Sequence, residues 1–307
     1  MDASLFSPAK INLSLAVTGR RPDGFHDLVS VVALLDWGDE LKAELREAVP
    51  GKSSRFTLEC DHPEVPLDGG NLVLKAAEAF AAATGWPGQV RFRLTKLIPP
   101  GAGLGGGSSN AVAALRALNQ LAGGRLDKAQ LASVAATLGS DCALFLANAP
   151  VVMRGRGERI DLLPAPATAR LQGRRVLLFK PSFGVGTPWA YQRMITRGTD
   201  YMPATEADER LAAWIRGNTA AEELPGNDME PAVFEKYFAL PVLGEKLRRE
   251  FGVRMRMSGS GSACYALLGD AAAGPAPVIS AETVTRMKQM IRGCWGAGAF
   301  VQEARLG

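Results

Sequence analysis

Pro99-Pro100-Gly101-Ala102-Gly103-Leu104-Gly105-Gly106-Gly107-Ser108-Ser109 sets five glycines and two hydroxyls between a strand-like run and a helix-like run. A backbone bare of side chains at so many points can close around a large anion and turn several N–H groups toward it. The helix that follows adds the positive end of its dipole, so this stretch points to a polyphosphate. A ligand-free turn is the bland alternative, but five glycines carry an unfolded-state entropy penalty that a simple connector avoids.

The flanks supply the context. Upstream, Gln89 to Leu97 alternates Val90, Phe92 and Leu94 with Arg91, Arg93 and Thr95, a strand with one apolar face. Downstream, a helix is expected from about Asn110 to Leu121. A second opens on an Asp127/Gln130 capping box, with Leu131, Val134, Ala135 and Leu138 inward and Gly139 at its end. Before the loop, residues 8–18 alternate as a strand, Gly19 to Gly24 reads as a turn, and Phe25 to Leu35 resumes as a strand. Asn71 to Thr84 is helical. Beyond a Pro/Ala/Gly-rich stretch at Leu163–Gly173, which is the candidate domain junction, Arg175–Lys180 and Ala263–Leu268 are strands. Ala281–Arg292 is a helix with Val284, Met287 and Ile291 inward. The alternating strands predict antiparallel pairing.

The 307 residues are 47% apolar with a net charge of +4, and the basic residues are scattered, which argues against nucleic acid or a membrane as partner while leaving acidic small molecules open. No run approaches the roughly 20 apolar residues of a membrane span, and Met1 to Ser7 lacks the build of a signal peptide. Cys60, Cys142, Cys264 and Cys294 are widely spaced, as are His26 and His62. A structural zinc site is therefore not expected, and the thiols suit a reducing, cytoplasmic setting.

Gly101, Gly103 and Gly106 satisfy the GxGxxG spacing of a dinucleotide fold, with Asp127 about twenty residues on. Asp127, however, opens a helix rather than ending a strand, and the strand before the loop is half polar where a doubly wound sheet would bury both faces. A P-loop needs Lys where Gly107 stands, and no HRD or DFG triplet of a protein kinase occurs.

Pro99–Ser109 resembles the phosphate loop of the GHMP kinase superfamily. Pro8-Ala9-Lys10-Ile11-Asn12-Leu13, Gly19-Arg20-Arg21-Pro22-Asp23-Gly24-Phe25-His26-Asp27-Leu28 and Leu138-Gly139-Ser140-Asp141 narrow it to the 4-diphosphocytidyl-2-C-methyl-D-erythritol kinases of the non-mevalonate isoprenoid pathway. Asn227-Asp228-Met229-Glu230-Pro231 and Met257-Ser258-Gly259-Ser260-Gly261-Ser262-Ala263 match as well, so the resemblance spans nearly the whole chain. It implies an α+β, two-domain GHMP kinase fold: a ribosomal protein S5 domain 2-like domain at 1–165 and a ferredoxin-like domain at 166–307, with the active site in the cleft between them. It also implies ATP with Mg²⁺, a cytidylyl sugar-alcohol phosphate as substrate, and a monomer or homodimer. Another superfamily member, a homoserine or mevalonate-type kinase, is the alternative, but those lack the GRRPDGFH segment.

By the same resemblance, Asp141 is the proton acceptor for the substrate hydroxyl and Lys10 the cation beside it, able to offset charge on the transferred phosphoryl. The bland readings are a helix N-cap for Asp141 and a solvated lysine for Lys10. Asn12 shares the strand face of Lys10 and is expected at the polyol end of the substrate, or else is a strand-edge amide. Phe25 and His26 correspond to the pyrimidine-reading pair, and Phe183 to the opposite stacking face. Lys96, with Thr95, is expected at the adenine or ribose, and Pro99, Pro100, Gly101, Ala102, Gly103, Leu104, Gly105, Gly106, Gly107, Ser108 and Ser109 at the phosphates. Ser108 and Ser109 are expected to cap the helix and face the phosphates or Mg²⁺. Ser258–Ser262 forms either a second phosphate-side turn or a plain strand entry; the metal ligands are not assigned. Two departures from the family are Phe at 25, where Tyr is usual, and Ala143, where proline often follows Asp141.

Overall fold

Two long strands open the chain. β1 (Asp2–Arg20) and β2 (His26–Arg46) pair as a hairpin, turned by Arg21–Phe25 with Gly24 at φ 85°. The strand-like alternation stops being legible at Leu35, yet β2 continues to Arg46. The computed structural model describes residues 1–47, 55–147, 149–198, 201–217, 219–269 and 279–307. These divide into two compact units: Met1–Ala9, Trp37–Pro100 and Gly105–Asn148 in the first, and Lys10–Asp36, Gly101–Leu104 and Ala149–Gly307 in the second. Because each of the two long strands contributes to both, the units interleave along the chain and do not divide at a single point such as 165/166.

In the first unit, β3 (Phe56–Cys60), α1 (Leu72–Thr84) and β4 (Gln89–Thr95) make a crossover, so β3 runs parallel to β4. That departs from the all-antiparallel expectation, because a connection carrying a helix returns the chain in the same direction. β4 in turn lies antiparallel to residues 40–46 of β2. α2 (Gly106–Leu121) packs on α1 and α3 (Lys128–Leu138). Nearly every turn of α2 is buried, with Ala111, Ala114, Leu115 and Leu118 at or below 1% exposure, which the small residues permit by letting neighbours close in. The capping box of α3 forms as read, but of its four expected inward residues Ala135 alone is fully buried; α3 lies shallow, with Leu131, Val134 and Leu138 half-covered. A short 3₁₀ turn, Ala143–Leu146, follows.

In the second unit, residues 28–32 of β2 pair with β5 (Val151–Gly155), which pairs with β6 (Arg159–Leu162). The expected junction stretch carries a short helix, α4 (Ala165–Ala169). A four-stranded antiparallel sheet follows, ordered β10 (Phe300–Arg305), β7 (Arg175–Lys180), β9 (Cys264–Leu267), β8 (Arg256–Met257). Around it stand α5 (Thr187–Thr196), α6 (Ala204–Arg216), α7 (Glu230–Phe234), α8 (Ala239–Phe251) and α9 (Ala281–Trp295). Leu177, Phe179, Met194, Val233, Leu243, Met257, Val284, Met287 and Ile291 form one apolar cluster. At about 1.5–3 kcal/mol for each fully buried large side chain, that cluster dominates the stability of this unit. None of the four cysteines is in a disulfide, and among the described residues no helix is long and apolar enough to cross a membrane.

Candidate active site

The glycine loop is anchored through its carbonyls. Within the second unit, Ala102 O accepts from Ala263 N (3.0 Å), Gly103 O from Ser258 Oγ (3.1 Å) and Leu104 O from Lys10 N (3.0 Å). Ala102 and Leu104 bury their side chains, while Gly101, Gly103 and Gly105 take φ of 62°, 82° and 71°. Gly103 admits no other residue: a Cβ there would lie 2.5 Å from Ser258 O. Leading into the first unit, Gly105 caps α2 without a side-chain bond, and Ser109 N is bonded to Gly105 O at 2.9 Å. The N–H groups of Gly106, Gly107 and Ser108 lie ahead of that bond, where a helix has no acceptor of its own to offer them. An anion at this point meets several amides and the positive end of a 16-residue helix.

The helix thus starts four residues earlier than the spacing predicts, and this changes the roles of two serines. Ser108 and Ser109 are not caps. Ser109 is buried, and its hydroxyl accepts from Ser7 Oγ at 2.8 Å rather than facing the loop mouth. Ser108 stays half-buried, hydrogen-bonded to the Cys142 thiol, which burial pushes up to about 11.

Lys10 is buried on β1, and its ammonium donates to Asn12 Oδ1 at 2.7 Å. Asn12 Nδ2 donates to Ser30 Oγ (2.9 Å), and Ser30 Oγ to Ser14 O (2.6 Å), so the amide orients the lysine and is itself held. A Cβ on Gly259 would lie 3.7 Å from Lys10 Nζ, 3.4 Å from Asn12 Oδ1 and 3.6 Å from Gly103 O, which sets the Ser258–Ser262 turn against both the lysine and the glycine loop. Lys10 is therefore no solvated strand-end charge. Asp141, in the first unit, sits half-buried in the turn after α3; the 3₁₀ turn is capped at Cys142 with no side-chain bond, so Asp141 is not its cap.

Lys96, expected at the adenine or ribose, already has an ionic partner within the fold. Its side chain is 5% exposed and ion-paired with Asp39. Burial pulls this ammonium below the usual lysine range, opposed by the charge of Asp39. The three aromatic candidates each find a different partner within the second unit. The Arg156 guanidinium lies 5.1 Å over the exposed ring of Phe25. His26 is buried, stacked on Tyr191 at 4.6 Å, with Nε2 3.2 Å from Tyr201 Oη. Burial, and then the charge of Arg20, hold this imidazole below the usual histidine range. Phe183 stacks on Tyr237 at 5.2 Å, and its carbonyl accepts from Ser262 Oγ and Lys180 Nζ.

Several contributors had no role assigned from the sequence. Asp39 shares β2 with Asp36 and Glu40, so the local sequence does not mark it as the carboxylate that is buried. The Asn227–Pro231 motif acts as scaffold: Asn227 Nδ2 donates to Met257 O and Gly259 O, Asp228 accepts from Val17 N and Glu230 from Met257 N. Tyr191, Tyr201 and Tyr237 carried no pattern at all. Among the described residues no group of three or more His, Cys, Asp or Glu is placed to hold a metal ion.

Comparison with known proteins gives these positions a family. Residues 71–155 match the GHMP kinases N terminal domain. The chain is 38% identical over 267 residues to 4-diphosphocytidyl-2-C-methyl-D-erythritol kinase of Methylacidiphilum infernorum, covering 85% of each chain. It is 36% identical over 263 residues to the chloroplastic enzyme of that name from Arabidopsis thaliana, covering 84% of this chain and 65% of that one. A crystal structure of 4-(cytidine 5'-diphospho)-2C-methyl-D-erythritol kinase superposes with a TM-score of 0.74 at 33% identity, over 99% of this chain and 100% of the other. A homoserine kinase from Cytophaga hutchinsonii reaches a TM-score of 0.70 at 19% identity, over 99% and 95%, a likeness of fold alone. The α+β arrangement is thus that of the GHMP kinases, and the chain belongs to the 4-diphosphocytidyl-2-C-methyl-D-erythritol kinase family.

Proposed function

We propose that this chain transfers the γ-phosphoryl group of ATP to the 2-hydroxyl of 4-diphosphocytidyl-2-C-methyl-D-erythritol, the reaction of the non-mevalonate isoprenoid pathway carried out by the family to which it belongs. The observation that supports it most is the tie between Lys10 and the glycine loop: the backbone of this lysine is bonded to Leu104, and its ammonium is fixed by Asn12. The triphosphate lies on the amides at the start of α2, within Pro99–Ser109. Lys10 offsets charge as the phosphoryl group moves, Asp141 takes the hydroxyl proton, and alignment with electrostatics does the rest without a covalent enzyme intermediate. Ser108 would be the side chain to hold a Mg²⁺ ion carried by the triphosphate, and that ion would supply partial neutralisation of the phosphate charge. Asn12 serves chiefly to orient Lys10. Phe25, His26 and Phe183 receive the cytidine, with the neutral imidazole offering its free nitrogen to the pyrimidine edge. The reading includes a cytoplasmic setting and a monomer or homodimer.

The test is a panel of alcohols with γ-labelled ATP: the cytidylyl substrate, homoserine and mevalonate. Label should pass to the first; transfer to one of the others in its place would make the chain a different GHMP-type kinase. Lys10→Ala and Asp141→Asn should each lower kcat by roughly 10²–10⁴, with ATP affinity within a few-fold of the starting protein. Near-normal turnover in either variant would remove that residue from its role.

A further inference from the structure

Asp39 is the most completely buried carboxylate near the loop, with a side chain at 0% exposure. An ionised group so placed persists only when donors surround it. Its Oδ1 accepts from Leu97 N (2.7 Å) and Ile98 N (2.8 Å), and its Oδ2 from Asn110 Nδ2 (2.8 Å) and from the Lys96 ammonium. Three of these donors belong to the three residues just before the glycine loop, and the fourth to the second turn of α2. The hold extends further: Asn110 Nδ2 also donates to Ser7 Oγ (2.8 Å), and Ser7 to Ser109 Oγ (2.8 Å). The first residue of the helix is pressed on the same cluster, since a Cβ on Gly106 would lie 2.8 Å from Lys96 Nζ and 3.0 Å from Ile98 Cγ2. All of these residues lie in one compact unit.

We propose that Asp39 is a positioning residue for the triphosphate: one carboxylate ties the entry of the glycine loop to the helix that leaves it, and so aims the Gly106, Gly107 and Ser108 N–H groups. The proposal rests on the reading of that helix start as the phosphate site. It also reassigns Lys96, whose ammonium serves the clamp rather than the nucleoside. A scaffold role alone could be met by apolar side chains of similar volume without the cost of a buried charge. What they could not do is satisfy two turn amides and a helix amide with one group.

The test compares the starting protein with Asp39→Asn and with Asp39→Asn/Lys96→Met, which leaves no unpaired buried ammonium. Binding of the Mg²⁺ complex of adenylyl imidodiphosphate is measured by calorimetry, the KM of each substrate by turnover, and folding by thermal unfolding. Both variants should bind the analogue about tenfold or more weakly and raise the KM for ATP to match, with the KM for the cytidylyl substrate within about twofold. The double variant should regain thermal stability without regaining affinity. Unaltered analogue affinity in either folded variant, or affinity that returns together with stability in the double one, overturns the clamp. Absence of analogue binding by the starting protein overturns the kinase reading instead, and this role with it.

Discussion

Two glycine-serine turns, 101–109 and 258–262, are alike in composition and opposite in what they do with their peptide groups. The first is tied down by the carbonyls of Ala102, Gly103 and Leu104, which leaves the amides at the start of α2 facing outward from the helix end. The second turns its groups inward. Ser258 N donates to Ala263 O, Gly261 N to Ser258 O and Ser262 Oγ to Phe183 O, while Gly259 O is taken by Asn227. Glycine content permits close approach in both, but an anion site needs N–H groups with no other acceptor. The first turn leaves helix-start amides that an anion could take; the second is bonded into the fold and, through Ser258 Oγ, to Gly103 O.

That contrast can be broken at named residues. Gly103→Ala should have the largest effect, because the new Cβ would meet the backbone oxygen of Ser258 at 2.5 Å on a residue at φ 82°. Strain of about 1–3 kcal/mol and a loop pushed off its anchor should lower kcat/KM for ATP roughly a hundredfold. Gly261→Ala is the control: its Cβ would meet Met257 Sδ at 2.6 Å and Cγ at 3.2 Å, atoms of a flexible side chain rather than backbone, so strain at φ 83° remains but the collision is cheaper. If Gly261→Ala proved the more damaging in steady-state assays, the two turns would have to exchange roles.

Next in size is Asn227→Ala. It strips two carbonyls and Met229 N of their partner, and chemical denaturation should show a loss of about 2–4 kcal/mol. Ser258→Ala should cost less, about 1 kcal/mol, since it removes one hydroxyl bond to Gly103 O and one from Asn12 N. A drop in turnover larger than the drop in stability would show that this serine also tunes the loop.

The smallest effect concerns pH. The folded-state pKa of His26 is lowered, chiefly by burial, so the neutral imidazole is the stable form in the fold. The stability tied to it is therefore present above the ordinary histidine value of about 6.5 and lost as pH falls through the lowered folded value. The KM for the cytidylyl substrate should rise over the same descent, and His26→Gln should flatten that profile. An unchanged profile in the variant would take His26 out of the pyrimidine pocket.

The order of residues was enough to read the glycine loop and to point it toward a polyphosphate, because consecutive glycines ahead of a helix-forming run constrain the backbone locally. The Asp127 box, β4, β7 and α9 were legible for the same reason: their signals lie within a few residues of one another. What required the folded chain was every relation across distance. The start of α2 moved to Gly106 because the loop is anchored by Lys10, Ser258 and Ala263, residues about 90 to 160 positions away that no local pattern connects. Lys96 went to Asp39, 57 residues before it, and Ser109 to Ser7, because a buried polar atom takes whichever partner packing brings within reach. Local chemistry pointed to a ligand class; long-range packing set the partners that Lys10, Lys96 and Ser109 take.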